Sequence, residues 1–235
     1  MMLARFLYKS YHRLYVLRLF RQRHFTPAGL MVVAAVFLSG LLGFNILKTT
    51  VYQLMAFSFS VMTVSVLTSI IPFKFKVKVN RILPEYATVG DKVSYEIKIT
   101  NLSLKPQKGL ILFEDILDPR PSFDVLLSKK EPFEHLRNAW DKKTLYYRWI
   151  WLIQKAKKAR FKSVNLPDLP PGETIRIQSS FLPRYRGFVH FSGLTFSRPD
   201  ALGLFCRKQK IKKAQKILIL PKRYRLELPN LCSTR

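Results

Sequence analysis

The residues with the chemistry for catalysis are few and scattered. Glu114, Asp115 and Asp118 form the densest acidic cluster, and two carboxylates at this spacing have the chemistry for general acid–base catalysis. Acidic residues near a strand end more often cap a turn, and no neighbouring residue type indicates substrate handling. Asp200 precedes a turn that contains Gly203, where the same capping role is expected. We therefore predict no catalytic residue and a protein that is not an enzyme.

Metal ligands and cofactor motifs are also missing from the sequence. The four histidines have no partner at the spacing of a metal site, and Cys206 and Cys232 form no CxxC pattern. There is no Gly-rich phosphate loop, HExxH motif or GxSxG motif. We expect neither a metal nor a cofactor. Two cysteines do not indicate a disulfide scaffold, so a reducing compartment is permitted.

The charge of the chain is strongly asymmetric. It has 41 lysines and arginines against 14 acidic residues, for a formal net charge of +27. Of these, 34 basic residues and all 14 acidic residues follow residue 73, so that part of the chain carries +20. Such a charge attracts either nucleic acid or the anionic cytoplasmic leaflet of a membrane. The apolar runs described next favour the leaflet.

Two uncharged apolar runs, at residues 28–47 and 51–73, lie almost next to each other. As a helix, each run is about 30 Å long, which matches the hydrocarbon core of a bilayer. Thr26 is a suitable N-cap and Pro27 a suitable first residue for the first helix. We predict a transmembrane helical hairpin over residues 26–73, preceded by a basic cytoplasmic segment at residues 1–25.

The basic residues predict the orientation of this hairpin. They flank it on both ends, whereas the short loop between the runs has only Lys48. By the positive-inside rule both termini are cytoplasmic and the loop faces outward. A signal peptide would explain the basic N-terminus, but the first run is too long for one and a second run follows directly. We expect a two-span protein of the inner membrane.

Small residues in the first run indicate helix packing. Ala35, Ser39 and Gly43 are spaced four residues apart on one face, which lets two helix backbones approach closely. Packing against the second span is favoured, and homodimerisation stays open. Residues 3–20 mix apolar and basic residues in the pattern of a short interfacial helix.

Residues 74–221 carry the pattern of a β-sandwich domain. Period-two alternation or short apolar runs mark candidate strands at residues 73–80, 93–100, 110–113, 123–127, 161–166, 175–181, 188–196 and 217–220. Turns containing Pro and Gly separate them at intervals of about ten residues. This spacing predicts an immunoglobulin-like antiparallel β-sandwich, so the fold class is a membrane-anchored all-β protein. Residues 222–235 form a C-terminal tail.

A helical insertion is predicted at about residues 129–160, where the strand period stops. Apolar and aromatic residues recur there at spacings of three to five, with basic residues between them. Two placements stay open: the insertion lies on the membrane surface, or its apolar face packs on the sandwich. The candidate membrane-surface contacts are Trp140, Trp149, Trp151, Lys155, Lys157 and Lys158.

A motif near the end of the sandwich carries a family resemblance. It consists of Arg-Tyr-Arg-Gly at residues 184–187 and Ser-Arg-Pro-Asp-Ala-Leu-Gly-Leu-Phe at residues 197–205. These segments resemble the N-terminal portion of the bacterial family called domain of unknown function fifty-eight, which is associated with MoxR-type AAA+ ATPases. The matching turn residues are Arg186, Gly187, Asp200, Gly203, Leu204 and Phe205. Ala201 and Leu202 replace the Pro and Phe that are usual in the family.

The resemblance implies two transmembrane helices that lead into a β-sandwich. Family members continue into a von Willebrand factor A-like domain, which can hold a metal ion. This sequence ends at Arg235, before such a domain, as expected for a truncated product, a split gene or a shortened paralogue. The metal site is therefore not carried over.

Together these observations predict a non-enzymatic integral membrane scaffold or accessory protein. Its partners would be the lipid bilayer and a protein, either a MoxR-type ATPase system or a separate von Willebrand factor A-like subunit. The alternative is a lipid-surface or nucleic-acid-binding module that uses the insertion and the basic residues 207–216. Nucleic acid is the less favoured partner, because no nucleic-acid-binding motif accompanies these residues.

Overall fold

A computed structural model describes residues 2–42, 49–71 and 73–222 of the chain. Its helical part consists of three long helices at the N-terminus and a group of short helices inserted into the β domain. The helices are α1 (Met2–His24), α2 (Pro27–Leu42), α3 (Thr49–Ile70), α4 (Phe123–Ser128), α5 (Ala139–Thr144) and α6 (Tyr146–Lys157), with a 3-10 turn at Glu134–Leu136.

The three long helices follow directly from the sequence. No Gly or Pro interrupts residues 2–24, and α1 ends just before the Thr26-Pro27 pair. Thr26 caps α2 as predicted, since its hydroxyl accepts a hydrogen bond from the backbone N–H of Gly29 at 3.1 Å. Helices α2 and α3 pack against each other.

Among the described residues, one helix is long and apolar enough to cross a membrane. It covers Thr50–Ile70, and only 6% of its most apolar window is buried inside the protein. The apolar stretch Pro27–Leu41 of α2 is shorter than a membrane span. The predicted loop with Lys48, the end of the first run and the tail from residue 223 lie outside the described residues. Of the two predicted spans, α3 alone among the described helices thus has the length and apolar character of one, and the two-span hairpin stays a prediction.

The β domain is a sandwich of two sheets, as the sequence predicts. One sheet has four strands in the order β1-β3-β7-β5, and the other has five in the order β2-β9-β8-β4-β6. The strands are β1 (Val77–Ile82), β2 (Tyr86–Thr88), β3 (Val93–Asn101), β4 (Ile111–Ile116), β5 (Ala159–Phe161), β6 (Val164–Asn165), β7 (Thr174–Pro183), β8 (Gly187–Pro199) and β9 (Cys206–Leu220).

A single hydrophobic core fills the space between the sheets. Ile97 and Ile99 of β3 are fully buried, in phase with the alternation of that strand. Phe181 of β7 and Phe191 of β8 meet edge to face across the core, with ring centroids 6.0 Å apart. Side chains from both sheets therefore close one interior.

The sheets are mixed, which corrects the prediction of a purely antiparallel sandwich. The three residues of β2 pair in parallel with the end of β9, Tyr86 opposite Leu218 and Thr88 opposite Leu220. The other strand pairs are antiparallel. The reason is the crossing of the chain after β1, at Pro84, from the edge of the four-stranded sheet to the edge of the five-stranded sheet.

Two predicted strands are wrong. Residues 123–127 form α4, because Ser122 caps the helix through its side chain and Asp124 lies in the first turn. The run at 161–166 is split into β5 and β6, which belong to different sheets. A short apolar run fits a helix and a strand equally well, so periodicity did not decide these cases.

The last strand is much longer than predicted. β9 covers Cys206–Leu220, so the basic residues 207–216 lie in a strand and not in a surface loop. Lys210, Lys212 and Lys216 alternate with less exposed neighbours and form one exposed row. Lysines in this strand alternate with other polar residues, so an analysis of hydrophobicity finds no period-two pattern there.

Candidate functional site: the junction of the apolar helices and the sandwich

The turn between β8 and β9 is built around the Asp200 carboxylate. One oxygen, Oδ1, accepts hydrogen bonds from the backbone N–H groups of Leu204 at 2.8 Å and Phe205 at 3.1 Å. The Asp200 N–H donates to the carbonyl of Phe205 at 2.7 Å. Gly203 has a φ of +68°, which a residue without a Cβ adopts without strain. The aspartate thus fixes the shape of the turn at residues 200–205.

The other carboxylate oxygen of Asp200 reaches the apolar helix α3. Oδ2 accepts a hydrogen bond from the hydroxyl of Ser65 and a longer one, at 3.5 Å, from that of Thr68. Ser65 is 0% exposed and Asp200 is buried as well. A buried carboxylate is stabilised only where its oxygens are hydrogen-bonded, and both are here. Asp200 therefore links the sandwich to α3.

The start of α2 contacts the same turn. Thr26 donates its hydroxyl proton to the carbonyl of Gly203 at 2.5 Å, and its N–H donates to the carbonyl of Leu204 at 3.1 Å. A Cβ on Gly29 would lie 2.1 Å from the carbonyl oxygen of Leu204. Only glycine permits this approach. Phe25 and Phe205 add a bridge between their backbones, with ring centroids 4.6 Å apart.

We call this contact region the junction, defined by Phe25, Thr26, Gly29, Ser65, Thr68, Asp200, Gly203, Leu204 and Phe205. It joins the first turn of α2 and the last turns of α3 to one β-turn. Its bonds combine a carboxylate, the hydroxyls of Thr26, Ser65 and Thr68, and backbone groups, a set that holds these elements in place.

The motif residues identified in the sequence fall into two places. Asp200, Gly203, Leu204 and Phe205 come together in the junction, whereas Arg186 and Gly187 lie at the start of β8. There Gly187 has a φ of +108° and its missing Cβ leaves room for the Lys158 ammonium group, which donates to the carbonyl of Phe188 at 3.0 Å. Arg186 is exposed.

The predicted helix-packing residues are only partly covered. Ser39 is buried and its hydroxyl donates to the carbonyl of Val36 in its own helix, while Ala35 is half-buried. Gly43 lies outside the described residues. Gly40 also lies near α3, since a Cβ there would be 4.0 Å from the Met55 sulfur.

The helical insertion packs on α1, a placement that neither sequence alternative included. Trp149 is 3% exposed and lies between rings of α1, with centroid distances of 5.6 Å to Tyr8 and 5.7 Å to His12. The hydroxyl of Tyr8 donates to the carbonyl of Pro121 at 3.1 Å, and that of Tyr11 to the carbonyl of Thr144 at 3.0 Å. This burial corrects the expectation that Trp149 contacts the membrane surface.

The other predicted surface contacts are more accessible. Trp140 is 72% exposed, and the Lys155 ammonium group lies 4.6 Å from the Trp151 ring centroid. Lys157 lies over Tyr15 of α1, and burial lowers the pKa of Lys157.

The acidic cluster at residues 114–118 divides into separate ion pairs. Arg81 and Glu114 form a buried bidentate pair, and the hydroxyl of Tyr95 donates to Glu114 at 2.8 Å. Burial raises the pKa of Glu114, against the opposing effect of Arg81. Asp115 binds Arg23 of α1 at 2.7 Å and so helps to hold that helix on the sandwich.

The described residues contain no group of three or more histidine, cysteine or acidic side chains placed to hold a metal ion. Cys206 is a buried free thiol, and burial raises its pKa. Lys208 lies on β9, near the point where α1 meets that strand. Burial lowers the pKa of Lys208 to about 8.

No model of a known protein family matches the chain. No curated protein matches it.

Solved structures resemble the chain only weakly. A part of alpha-2-macroglobulin from Escherichia coli has a TM-score of 0.36 at 15% identity over 63% of this chain, which spans 17% of that protein's length. The CARDB domain of the PF1109 protein from Pyrococcus furiosus, in complex with di-metal ions, has a TM-score of 0.33 at 13% identity over 64% of this chain and 98% of its own. PapD-like domain 7 of human CEP192 has a TM-score of 0.33 at 12% identity, over 63% and 88% of the two chains. Such low scores carry no argument about function.

Proposed function

We propose that this protein is a non-enzymatic membrane scaffold, in which α2 and α3 cross the membrane as a hairpin and hold the sandwich at the cytoplasmic face. The observation that carries the proposal is the junction. The N-terminal end of α2 and the C-terminal end of α3 meet the same turn, through Thr26 and Ser65. This contact suits two antiparallel helices whose flanks lie on one side of the bilayer. It holds the sandwich in a fixed position there, without a flexible linker.

The orientation is tested with reporter fusions. Alkaline phosphatase fused after Arg235 is expected to be inactive and green fluorescent protein at the same position fluorescent, because that terminus is cytoplasmic in the proposal. A phosphatase fusion after Lys48 is the matched control, since it is expected to be active outside. Active phosphatase at Arg235 would overturn the orientation.

The sandwich would present a surface to a protein partner. The resemblance of the turn at residues 200–205 supports a MoxR-type ATPase system or a von Willebrand factor A-like subunit as that partner. In the structure these motif residues fix the turn to α2 and α3, so a partner would bind other parts of the sandwich.

The partner is tested by purification from membranes. Tagged full-length protein in mild detergent is expected to bring down a stoichiometric partner. A Gly29→Ala variant, which disturbs the junction, is expected to lose it, and Gly40→Ala is expected to retain it. Purification without any stoichiometric protein would count against the scaffold function.

A second candidate function is a lipid-surface or nucleic-acid-binding module. The observation in its favour is the exposed row of Lys210, Lys212 and Lys216 on β9, together with the exposed Trp140 of the insertion. If these three lysines neutralise three phosphate groups, the affinity for DNA falls as the salt concentration rises. A gel-shift titration of the full chain in nanodiscs at several salt concentrations tests it, and a Lys210→Gln, Lys212→Gln, Lys216→Gln variant is the comparison. Equal binding by both proteins would contradict it.

A further inference from the structure

Helix α1 has two faces with different surroundings. Its inner face is aromatic: Tyr8, Tyr11 and Tyr15 pack on the insertion around Trp149. Arg23 continues this face and binds Asp115 of the sandwich. Helix α1 also contacts α5 and β9, so the helix lies against the β domain.

The outer face of α1 carries leucine and phenylalanine side chains and is uncovered. Leu3, Phe6, Leu14, Leu17 and Phe20 recur at the spacing of one helix face, and all five are exposed, with Phe6 at 68% and Leu17 at 60%. A row of large apolar side chains this long is not left in water without a function.

The surroundings of this face indicate what covers it. Only Phe25 and Thr26 separate α1 from α2, so the outer face begins where an apolar helix of the proposed hairpin begins. Residues 1–25 contain six basic residues and no acidic residue. At helical spacing the exposed Arg13 and Arg21 lie among the side chains of this row, and the exposed Arg18 lies at its edge. Arginines among apolar side chains suit a helix in the headgroup region of an anionic membrane, because their long side chains reach the phosphates while the apolar groups enter the lipid.

We propose that the outer face of α1 is the membrane-surface contact of this protein, and that its occupant is the lipid surface of the bilayer that α2 and α3 enter. The insertion then lies on the opposite side of α1 and is held away from the lipid. The contact with lipid is made by Leu3, Phe6, Leu14, Leu17 and Phe20, and the contact with the insertion by the tyrosines. This inference rests on the proposal that α2 and α3 lie in the membrane.

The test places spin labels in the full chain, reconstituted in vesicles of phosphatidylethanolamine and phosphatidylglycerol. Single cysteines are introduced as Leu17→Cys on the outer face, Trp140→Cys on the insertion and Leu67→Cys on the exposed side of α3. Cys232 is replaced by serine, and a protein without an added cysteine gives the background from the buried Cys206. Accessibility to oxygen, which concentrates in lipid, is compared with accessibility to a neutral nickel complex, which stays in water.

We expect the label at position 17 to be at least fivefold less accessible to nickel than the label at position 140, and to be accessible to oxygen. Suppose that the label at position 17 is as accessible to nickel as the label at position 140, while the label at position 67 is accessible to oxygen and not to nickel. The inference on α1 is then overturned and the hairpin stands. If the label at position 67 is also accessible to nickel, the membrane anchor itself is refuted and the inference with it. Dipolar coupling between labels at position 17 of different molecules would show that a second copy covers the face, which also overturns it.

Discussion

At the scale of single residues, Asp200 is the most consequential side chain. One carboxylate shapes its own turn and accepts hydroxyl hydrogen bonds from a helix 135 positions earlier in the chain. Hydrogen bonds to a buried charged group contribute more than ordinary ones, and their loss leaves an unsatisfied group. The junction therefore depends on a few polar atoms in an apolar environment.

The first prediction concerns the partner of this carboxylate. Ser65→Ala removes the hydroxyl that Asp200 Oδ2 accepts from, so we expect the free energy of unfolding to fall by roughly 1.5–3 kcal/mol. Thr63→Ala is the matched control, because that exposed hydroxyl donates only to Phe59 in its own helix. Urea unfolding in detergent micelles measures both. Equal losses in the two variants would show that the bond to Asp200 contributes nothing specific.

A second prediction concerns the ion pair in the sandwich core. Glu114→Gln leaves the buried Arg81 without its charge partner, and breaking such a pair costs roughly 3–5 kcal/mol. Glu96→Gln is the control, since its pair with Arg176 is 3.7 Å long and at the surface, where an ion pair contributes about 0–1 kcal/mol. The same urea experiment compares the two variants. A smaller loss of unfolding free energy in Glu114→Gln than in Glu96→Gln would show that the core pair does not stabilise the domain.

At the scale of elements, close backbone contact decides how α2 meets the sandwich. Gly29→Ala places a Cβ 2.1 Å from the backbone carbonyl oxygen of Leu204, so the helix must move. We expect the thermal midpoint to fall by several degrees and proteolysis between α2 and the sandwich to speed up. Gly40→Ala puts its Cβ at an ordinary 4.0 Å from a flexible methionine side chain and is expected to be neutral. A neutral Gly29→Ala would contradict the close contact.

The insertion is predicted to loosen in acid. A hydrogen bond from Arg148 holds the pKa of Glu134 below its ordinary value of 4.5, and Arg148 also donates to the carbonyls of Leu126 and Leu127. Because the folded-state pKa is depressed, the stabilisation is complete above pH 4.5 and is lost as the pH falls below it.

Hydrogen exchange of α4 and α6 measures this loosening, and exchange is expected to rise as the pH falls below 4.5, after correction for intrinsic rates. Glu134→Gln is expected to be looser than the natural protein at neutral pH and to lose the pH dependence. If the variant keeps the same dependence, another group is responsible.

The sequence predicted elements better than their connections. β3 was predicted within one residue, because Tyr95, Ile97 and Ile99 alternate with polar residues and are buried together. The helical nature of residues 123–128 escaped a period analysis, since its decisive signal is the Ser122 cap. Ser65 is a polar residue in an apolar run, but nothing local in the sequence indicates that its partner is Asp200. Likewise, Trp149 fits a membrane contact by type, and only the fold places α1 over it.

At the scale of the whole molecule, the net charge of +27 opposes compaction. We expect the thermal midpoint in uncharged detergent to rise by several degrees between 0.05 and 0.5 M sodium chloride, because salt shortens the Debye length to about 4 Å and screens repulsion among the lysines and arginines. In micelles that contain phosphatidylglycerol, which supplies counter-charge, the dependence should shrink. A midpoint that falls with salt would mean that favourable ion pairs outweigh the repulsion.

The long sequence separation between Ser65 and Asp200 sets an order for biogenesis. During synthesis, α3 is complete well before the ribosome makes residue 200. The Ser65 and Thr68 hydroxyls therefore lack the Asp200 acceptor while most of the sandwich is being translated. β9, which lies between β2 and β8, is made later still. Helix α3 and the sandwich can therefore form this contact only after residue 200 has been made, and nascent chains stalled before that residue lack it.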